Sequence, residues 1–382
     1  MENFIAYNPT HVHFGDGVVD KMTQFISQYG KKVLLMYGKG SVLKNGSYQA
    51  TRAQLEKMNA EIYEYSGIKP NPVTEDVDAA ARIGIEKKVD MIVAVGGGSV
   101  IDSAKITAVC IARNAPAWDI MKGKVLIRSA IPIITVLTLA ATGTEMNAVG
   151  VLQYPETRQK IGFRHPFMYP KHSFLDPGYT VSVPANYTAY GVVDLVAHCL
   201  EVYFGEGDAS LSDRFIYAII EEALEYGPAL MKDLTNYDLR ARIMWAATNA
   251  LNGMTSYGKV NGDWGVHAIG HSLSFLFDTP HGASLSIAYP AWLKHMSKRI
   301  PGRIAELGEV LFGTETPEGT IHYLENFFRE LGSPVRMEDE GISRDKSGEI
   351  LDLMNQNEVS GLAQELDGED RKAILEYMYD RN

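Results

Sequence analysis

Residues 89–105, VDMIVAVGGGSVIDSAK, run from a buried-strand pattern through three glycines into a helix pattern. The apolar run 91–95 shows no alternation, as expected of a parallel strand covered on both faces. Gly96, Gly97 and Gly98 let the backbone approach an anion, and the amides opening the next helix favour negative charge. Ser99 reads as the N-cap of that helix, with Asp102 three residues on completing something close to a capping box. Lys105 adds a cation one turn further in. A ligand-free strand-to-helix turn would have the same local sequence, and the run lacks the G-x-G-x-x-G spacing of the common dinucleotide fingerprint.

Working outward, further strand patterns occupy 32–37 (KVLLMY), 61–65 and 131–137, with helical patterns at 17–29, 47–58, 74–88 and 99–112. Alternation of this kind implies an α/β parallel sheet. Two more turns follow strands: Tyr37-Gly38-Lys39-Gly40-Ser41, and the run from Thr138 to Glu145. Three loops at the carboxyl ends of neighbouring parallel strands form the usual ligand site of an open α/β sheet, and a dinucleotide is the natural candidate. The loop 38–41 carries one cation and no acid. A carboxylate there would bond ribose hydroxyls and repel a 2′-phosphate, so NADP(H) is favoured over NAD(H), unless Lys39 is merely a solvated charge. From about Pro184 the texture becomes helical, over 187–204, 210–231, 238–254, 264–277, 287–297 and 317–331. The boundary is expected within 176–184 (DPGYTVSVP), giving residues 1–182 as a Rossmann-like dinucleotide-binding domain and 183–382 as an all-helical domain. The charged tail from Met337 onward reads as a solvated helical surface.

Composition narrows the partners. The chain has 382 residues, and 36 Lys and Arg stand against 47 Asp and Glu, for a net charge of -11. That argues against nucleic acid and against an anionic membrane surface. The N-terminal MENFIAYNPT lacks the basic start and apolar stretch of a signal peptide, and the apolar run 130–141 is too short to span a bilayer. Cys110 and Cys199 are the two cysteines, too few for a disulfide framework, so a reduced, cytoplasmic location is expected. Cys199 follows His198 and so turns about 100° away from it on a helix, into core packing.

The helical half holds a second constellation. Asp194 and His198 lie four apart in YGVVDLVAHCLEVYF, which puts both on one helix face. His267 and His281 lie in VHAIGHSLSFLFDTPHG, one on a helix pattern and one just past the Thr279-Pro280 turn. A helix-capping aspartate and ordinary polar histidines would explain each position separately. Together, in a chain of 10 His, three imidazoles and a carboxylate read as the donors of a divalent metal. They suit Zn2+, Fe2+ or Co2+ better than Mg2+ or Ca2+, which prefer oxygen.

These motifs resemble those of the iron-containing (group III) alcohol dehydrogenases, especially the bacterial butanol dehydrogenases and broad-range aldehyde reductases. The carrying segments are 38–41, Pro70-Asn71-Pro72, 96–102 with Lys105, 137–147, 194–201, and 267–271 through Pro280-His281-Gly282. Their order is kept over essentially the whole chain. The resemblance implies a dehydroquinate synthase-like plan, with a Rossmann-like domain, a helical metal-binding domain and an active site in the cleft between them. It implies Asp194, His198, His267 and His281 as metal ligands, with His271 lining the substrate pocket as a proton relay or as a hydrogen-bonding support. It implies Gly38, Lys39, Ser41, Asn71 and Asp102 among the cofactor contacts, and Gly97, Gly98 and Ser99 at the pyrophosphate. Thr138, Leu139 and Thr142 would surround the cofactor, with Asn147 near the nicotinamide and Lys160 at its ribose. Two departures fall in one loop: Thr138-Leu139 replaces a frequent Thr-Thr, and Gly143-Thr144-Glu145 a Gly-Ser-Glu.

The expected reaction is hydride transfer between NAD(P)(H) and a short-chain primary alcohol or aldehyde such as butanol or butanal. Apolar groups such as Val149, Val151 and Leu251 are expected to line the pocket. A fifth coordination position for substrate suits Fe2+, while imidazole serves Zn2+ or Co2+ as well. A homodimer is implied. The alternatives are a polyol dehydrogenase such as glycerol dehydrogenase, whose metal shell lacks the fourth ligand that His281 offers, and a dehydroquinate synthase-type lyase, which needs cationic residues for a phosphorylated acid. A dinucleotide-sensing scaffold would have no use for an intact metal shell.

Overall fold

The computed structural model describes residues 1–380. Eight strands occur among them: β1 (His11–Phe14), β2 (Lys32–Gly38), β3 (Glu61–Ile68), β4 (Met91–Gly96), β5 (Ile133–Leu137), β6 (Val149–Tyr154), β7 (Gln159–Arg164) and β8 (His172–Leu175). Six of them form one sheet in the order β1-β8-β5-β4-β2-β3, with every neighbouring pair parallel. The chain steps from β2 outward to β3 and then back across to β4, so strand order reverses between β2 and β4. The loops after Gly38 and Gly96 flank this switch point, where open α/β sheets bind ligands. Alternate residues of β2 serve opposite faces. Val33, Leu35 and Tyr37 join one apolar cluster, and Leu34 and Met36 join another. This is why its sequence reads as a continuous apolar run.

The four strands visible in the sequence are all present. Missed were β1 and β8, four residues each and carrying histidines, and the antiparallel hairpin β6–β7, whose second strand is QKIGFR. The helical expectation for 17–29 is corrected to a short α-helix, Met22–Ile26, between two 3-10 turns.

Two compact units are present. One comprises Tyr7–Val183 together with Leu234–Thr248, and the other Met1–Ala6, Pro184–Asp233 and Asn249 onward. Leu234–Thr248 is tied into the α/β unit by side chains. Met244 joins a core cluster of the sheet, Trp245 meets Phe14 edge-on, and Thr248 Oγ1 donates to Glu145 Oε1 at 2.6 Å.

The second unit is helical, built on Ala185–Tyr203, Ser210–Lys232, Gly265–Phe277 and His281–Met296, followed by four more helices down to Gly368–Tyr379. The tail is not the solvated surface expected of it: Met337, Leu353, Met354, Ile374 and Met378 are all fully buried. Its last helix packs against His281–Met296. No helix of the described residues is long and apolar enough to cross a membrane.

Candidate metal centre and nucleotide loops

In the α/β unit the three loops foreseen in the sequence come together in part. The Thr138 amide donates to Gly96 O at 3.0 Å. A Cβ on Gly98 would stand 2.8 Å from Thr142, and one on Gly97 would stand 3.1 Å from Leu139, so only glycine lets the 96–98 turn lie this close to the 138–142 loop. Gly38 is half-buried at the end of β2, while Lys39 and Ser41 are exposed. No side chain caps the start of helix Gly98–Arg113, a cradle that suits a phosphate group.

Three local expectations are corrected here. The N-cap is Gly97 rather than Ser99, whose hydroxyl donates to Pro70 O. Asp102 does not complete a capping box but is half-buried, accepting from Thr144 Oγ1 at 2.5 Å and from the Val151 amide at 3.0 Å. Lys105 does not face the loop as a free cation. It is fully buried, donating to Thr144 Oγ1 at 2.7 Å, Asn147 Oδ1 at 2.9 Å and Val149 O at 2.8 Å. Burial pulls its pKa down to about 8, against Asp102 and Glu145, which raise it. Its work is to hold the segment 144–149. Asn147 is committed to that network, its amide donating to Gly143 O at 3.0 Å. Lys160 Nζ donates to Asn71 Oδ1 at 2.9 Å.

In the helical unit, Asp194 and His198 project from helix Ala185–Tyr203, His267 from the first turn of Gly265–Phe277, and His281 opens His281–Met296 after Pro280. Gly282 permits this meeting, since a Cβ there would lie 2.1 Å from Tyr190 O. Asp194 Oδ1 lies 3.7 Å from His198 Nδ1, 3.9 Å from His267 Nε2 and 3.6 Å from His281 Nε2. Donors about 2.1 Å from a shared ion stand roughly 3.4 Å apart in a tetrahedron, close to these separations. The donor atoms of Asp194, His267 and His281 all lie within 4.8 Å of one another. His198 falls outside that tighter set. It joins through Asp194 and through its ring, stacked 4.9 Å from that of His267. Its Nδ1 is buried with no hydrogen-bond partner, which fits a lone pair kept for a metal. The His281 side chain is 25% exposed against 2% for Asp194, so the cluster opens on the His281 side. The His271 ring lies 5.7 Å from that of His281.

Glu201 was missed as a site residue. It lies seven positions after Asp194 and three after His198 on the same helix, and it is 1% exposed. Its Oε1 accepts the His267 amide at 2.9 Å and lies 2.7 Å from His267 Nδ1, while Oε2 accepts the Trp264 amide at 2.5 Å. With Nδ1 donating across this 2.7 Å contact, the Nε2 lone pair would face Asp194. Burial pushes the Glu201 carboxyl up to about 8 while the backbone N–H groups of His267, Trp264 and Val266 pull it down. The i, i+4, i+7 spacing of Asp194, His198 and Glu201 was the available signal.

Residues 9–177 match the family model of iron-containing alcohol dehydrogenases, and residues 188–379 match that family's C-terminal model. The chain belongs to the iron-containing alcohol dehydrogenase family. It is 39% identical to a probable NADH-dependent butanol dehydrogenase of Bacillus subtilis, over 98% of this chain and 99% of that one. It is 34% identical to an NADPH-dependent aldehyde reductase of Escherichia coli, over 96% of each. Among solved structures, an NADH-dependent butanol dehydrogenase of Thermotoga maritima superposes with a TM-score of 0.95 at 37% identity, covering 100% of this chain and 99% of that one.

Proposed function

We propose that this chain is a metal-dependent alcohol dehydrogenase that moves a hydride between NAD(P)(H) and a short-chain primary alcohol or aldehyde, such as butanol or butanal. The observation that carries the reading is Asp194 Oδ1 within 3.6–3.9 Å of three imidazole nitrogens, in a family whose relatives include butanol dehydrogenases and an aldehyde reductase. Asp194, His198, His267 and His281 would hold a divalent ion, with Fe2+ preferred and Zn2+ or Co2+ compatible. Such an ion supplies Lewis acidity toward a substrate oxygen. Asp194 contributes the one formal negative charge among the four, and Glu201 orients His267. His271, whose ring lies 5.7 Å from that of His281, would pass a proton or hold a hydrogen bond to substrate.

On the cofactor side, Gly97, Gly98 and Ser99 would receive the pyrophosphate, with Gly38, Lys39, Ser41, Asn71, Asp102, Thr138, Leu139, Thr142, Asn147 and Lys160 around the remainder. NADP(H) is favoured by the exposed Lys39. Glu64, the carboxylate that Tyr37 reaches at the end of β2, already accepts from Tyr37, Tyr48 and Arg52. The relatives include both NADH- and NADPH-dependent enzymes. The α/β and helical parts, residues 1–182 and 183–382, would act as cofactor and metal domains. A cytoplasmic homodimer completes the reading, and free, buried Cys110 and Cys199 suit a reducing compartment. The test is to purify the protein without added metal, measure the metal, and follow NADPH and NADH oxidation with C2–C6 aldehydes. Near-stoichiometric metal with butanal turnover is expected, and turnover indifferent to metal removal would overturn the reading.

A further inference from the structure

Asp263 lies outside the histidine cluster, yet it joins the turn that delivers His267 to a loop about 100 residues later in the chain. It is 0% exposed. Its amide donates to the backbone carbonyl of Glu201 at 2.8 Å. Its Oδ2 accepts the Gly265 amide at 3.2 Å, and its Oδ1 accepts the amides of Ala363 at 3.1 Å and Gln364 at 2.6 Å. Its own carbonyl accepts the Leu362 amide at 2.7 Å. The fit is exacting. A Cβ on Gly361 would stand 2.2 Å from Asp263 Oδ1, and one on Gly265 would stand 3.1 Å from Gly361 Cα.

The next residue shows what this anchoring sustains. Trp264 has φ +65°, left-handed for a bulky side chain. Such a conformation is strained and persists only where surrounding contacts over-determine it. In it, the Trp264 amide meets Glu201 Oε2, and three residues on the His267 amide meets Oε1. Glu201 in turn holds the His267 ring.

We propose that Asp263 is a positioning residue for His267, with the C-terminal loop 361–364 as the clamp that holds it in place. The path runs from the amides of that loop through Asp263, the Trp264 turn and Glu201 to His267 Nδ1. The inference rests on the metal reading above, and by reciprocity a metal bound at His267 stabilises the loop.

Binding of Co2+ to the metal-free protein tests it, through the visible d–d spectrum, which reports ligand geometry, and through affinity by chelator competition. Asp263→Asn keeps the shape but turns an N–H donor toward one of the amides now bonded. Gly361→Ala intrudes on the carboxylate. Arg299→Ala is the control, since Arg299 donates to Glu365 O at 2.9 Å and to Asp370 Oδ1 at 2.5 Å, beside the 361–364 clamp but without touching it or Asp263. Expected are an altered Co2+ spectrum and about tenfold weaker binding in Asp263→Asn and Gly361→Ala, the lower end of the effect of outer-sphere partners on metal affinity. Unfolding should stay cooperative, and Arg299→Ala should bind as wild type. In the wild type, the amides of 362–364 should exchange more slowly with Co2+ than without it. Should Gly361→Ala not fold, Asp263→Asn decides alone. Wild-type spectrum and affinity in a folded Asp263→Asn would overturn the proposal. So would an equal loss in Arg299→Ala, which would make the effect one of general loop stability. A wild-type chain that binds no Co2+ would instead overturn the metal reading itself.

Discussion

His267 is gripped through its amide and its Nδ1 by one carboxylate, Glu201, with Nε2 left toward Asp194. Its replacement should therefore separate metal binding from folding. In His267→Ala, metal content and turnover should fall to about a tenth or less of wild type, while the thermal transition stays cooperative. Near-stoichiometric metal in that variant would refute its role as a donor. Lys39 makes a second residue-level test. A lysine facing a 2′-phosphate contributes about 1.5–3 kcal/mol, roughly 10- to 150-fold in affinity. Lys39→Asp should raise KM for NADPH by a factor in that range and spare NADH, whereas equal effects on both would mark Lys39 as a surface charge. The four candidate donors were legible in the sequence because spacing and residue type are local. Glu201 was not, because a carboxylate on a helix ordinarily reads as solvated, and only packing brings the amides of 264–267 onto it.

At the scale of the element, β1 and β8 show what short polar strands conceal. His11 pairs with His172 in register, His13 Nε2 lies 3.0 Å from His172 Nδ1, and Tyr29 Oη lies 3.2 Å from His172 Nε2. Burial, with His13 and His11 adding to it, lowers the His172 pKa from 6.5 to about 4. Between those values the unfolded chain binds a proton that the folded chain refuses. The stabilisation is therefore complete above about pH 6.5 and is lost as pH falls toward about 4, on the order of 2–3 kcal/mol in total. Chemical denaturation of wild type and His172→Asn between pH 4.5 and 7 should show a shallower pH slope in the variant, and identical slopes would remove His172 as the source. The longer strands announced themselves by apolar runs. The turn after β4 did so only in outline: the strand–turn–helix order is present, but Ser99, Asp102 and Lys105 took partners from 70, 144–149 and 151 that no local spacing specifies.

For the whole molecule, a net charge of -11 disfavours an anionic substrate, and the short-chain reading makes the apolar chain the part to be recognised. Each methylene withdrawn from water is worth about 0.8 kcal/mol, so butanal should exceed acetaldehyde in kcat/KM by up to roughly 15-fold, with the gain levelling off in longer chains. A large preference for glycerol or for a phosphorylated acid would reassign the substrate class. The sequence by itself determined the alternating α/β half, the helical half, the glycine loops and the identities of the four metal-donor candidates. Periodicity, turn chemistry and residue type are written in neighbouring positions. Only the tertiary structure decided the strand order, the return of Leu234–Thr248 to the α/β unit, the burial of Lys105, the grip of Glu201 on His267 and the clamp of 361–364 on Asp263. Each of these depends on which distant segments meet. That is settled by burying apolar faces and satisfying buried amides across the whole chain, not within any window of it.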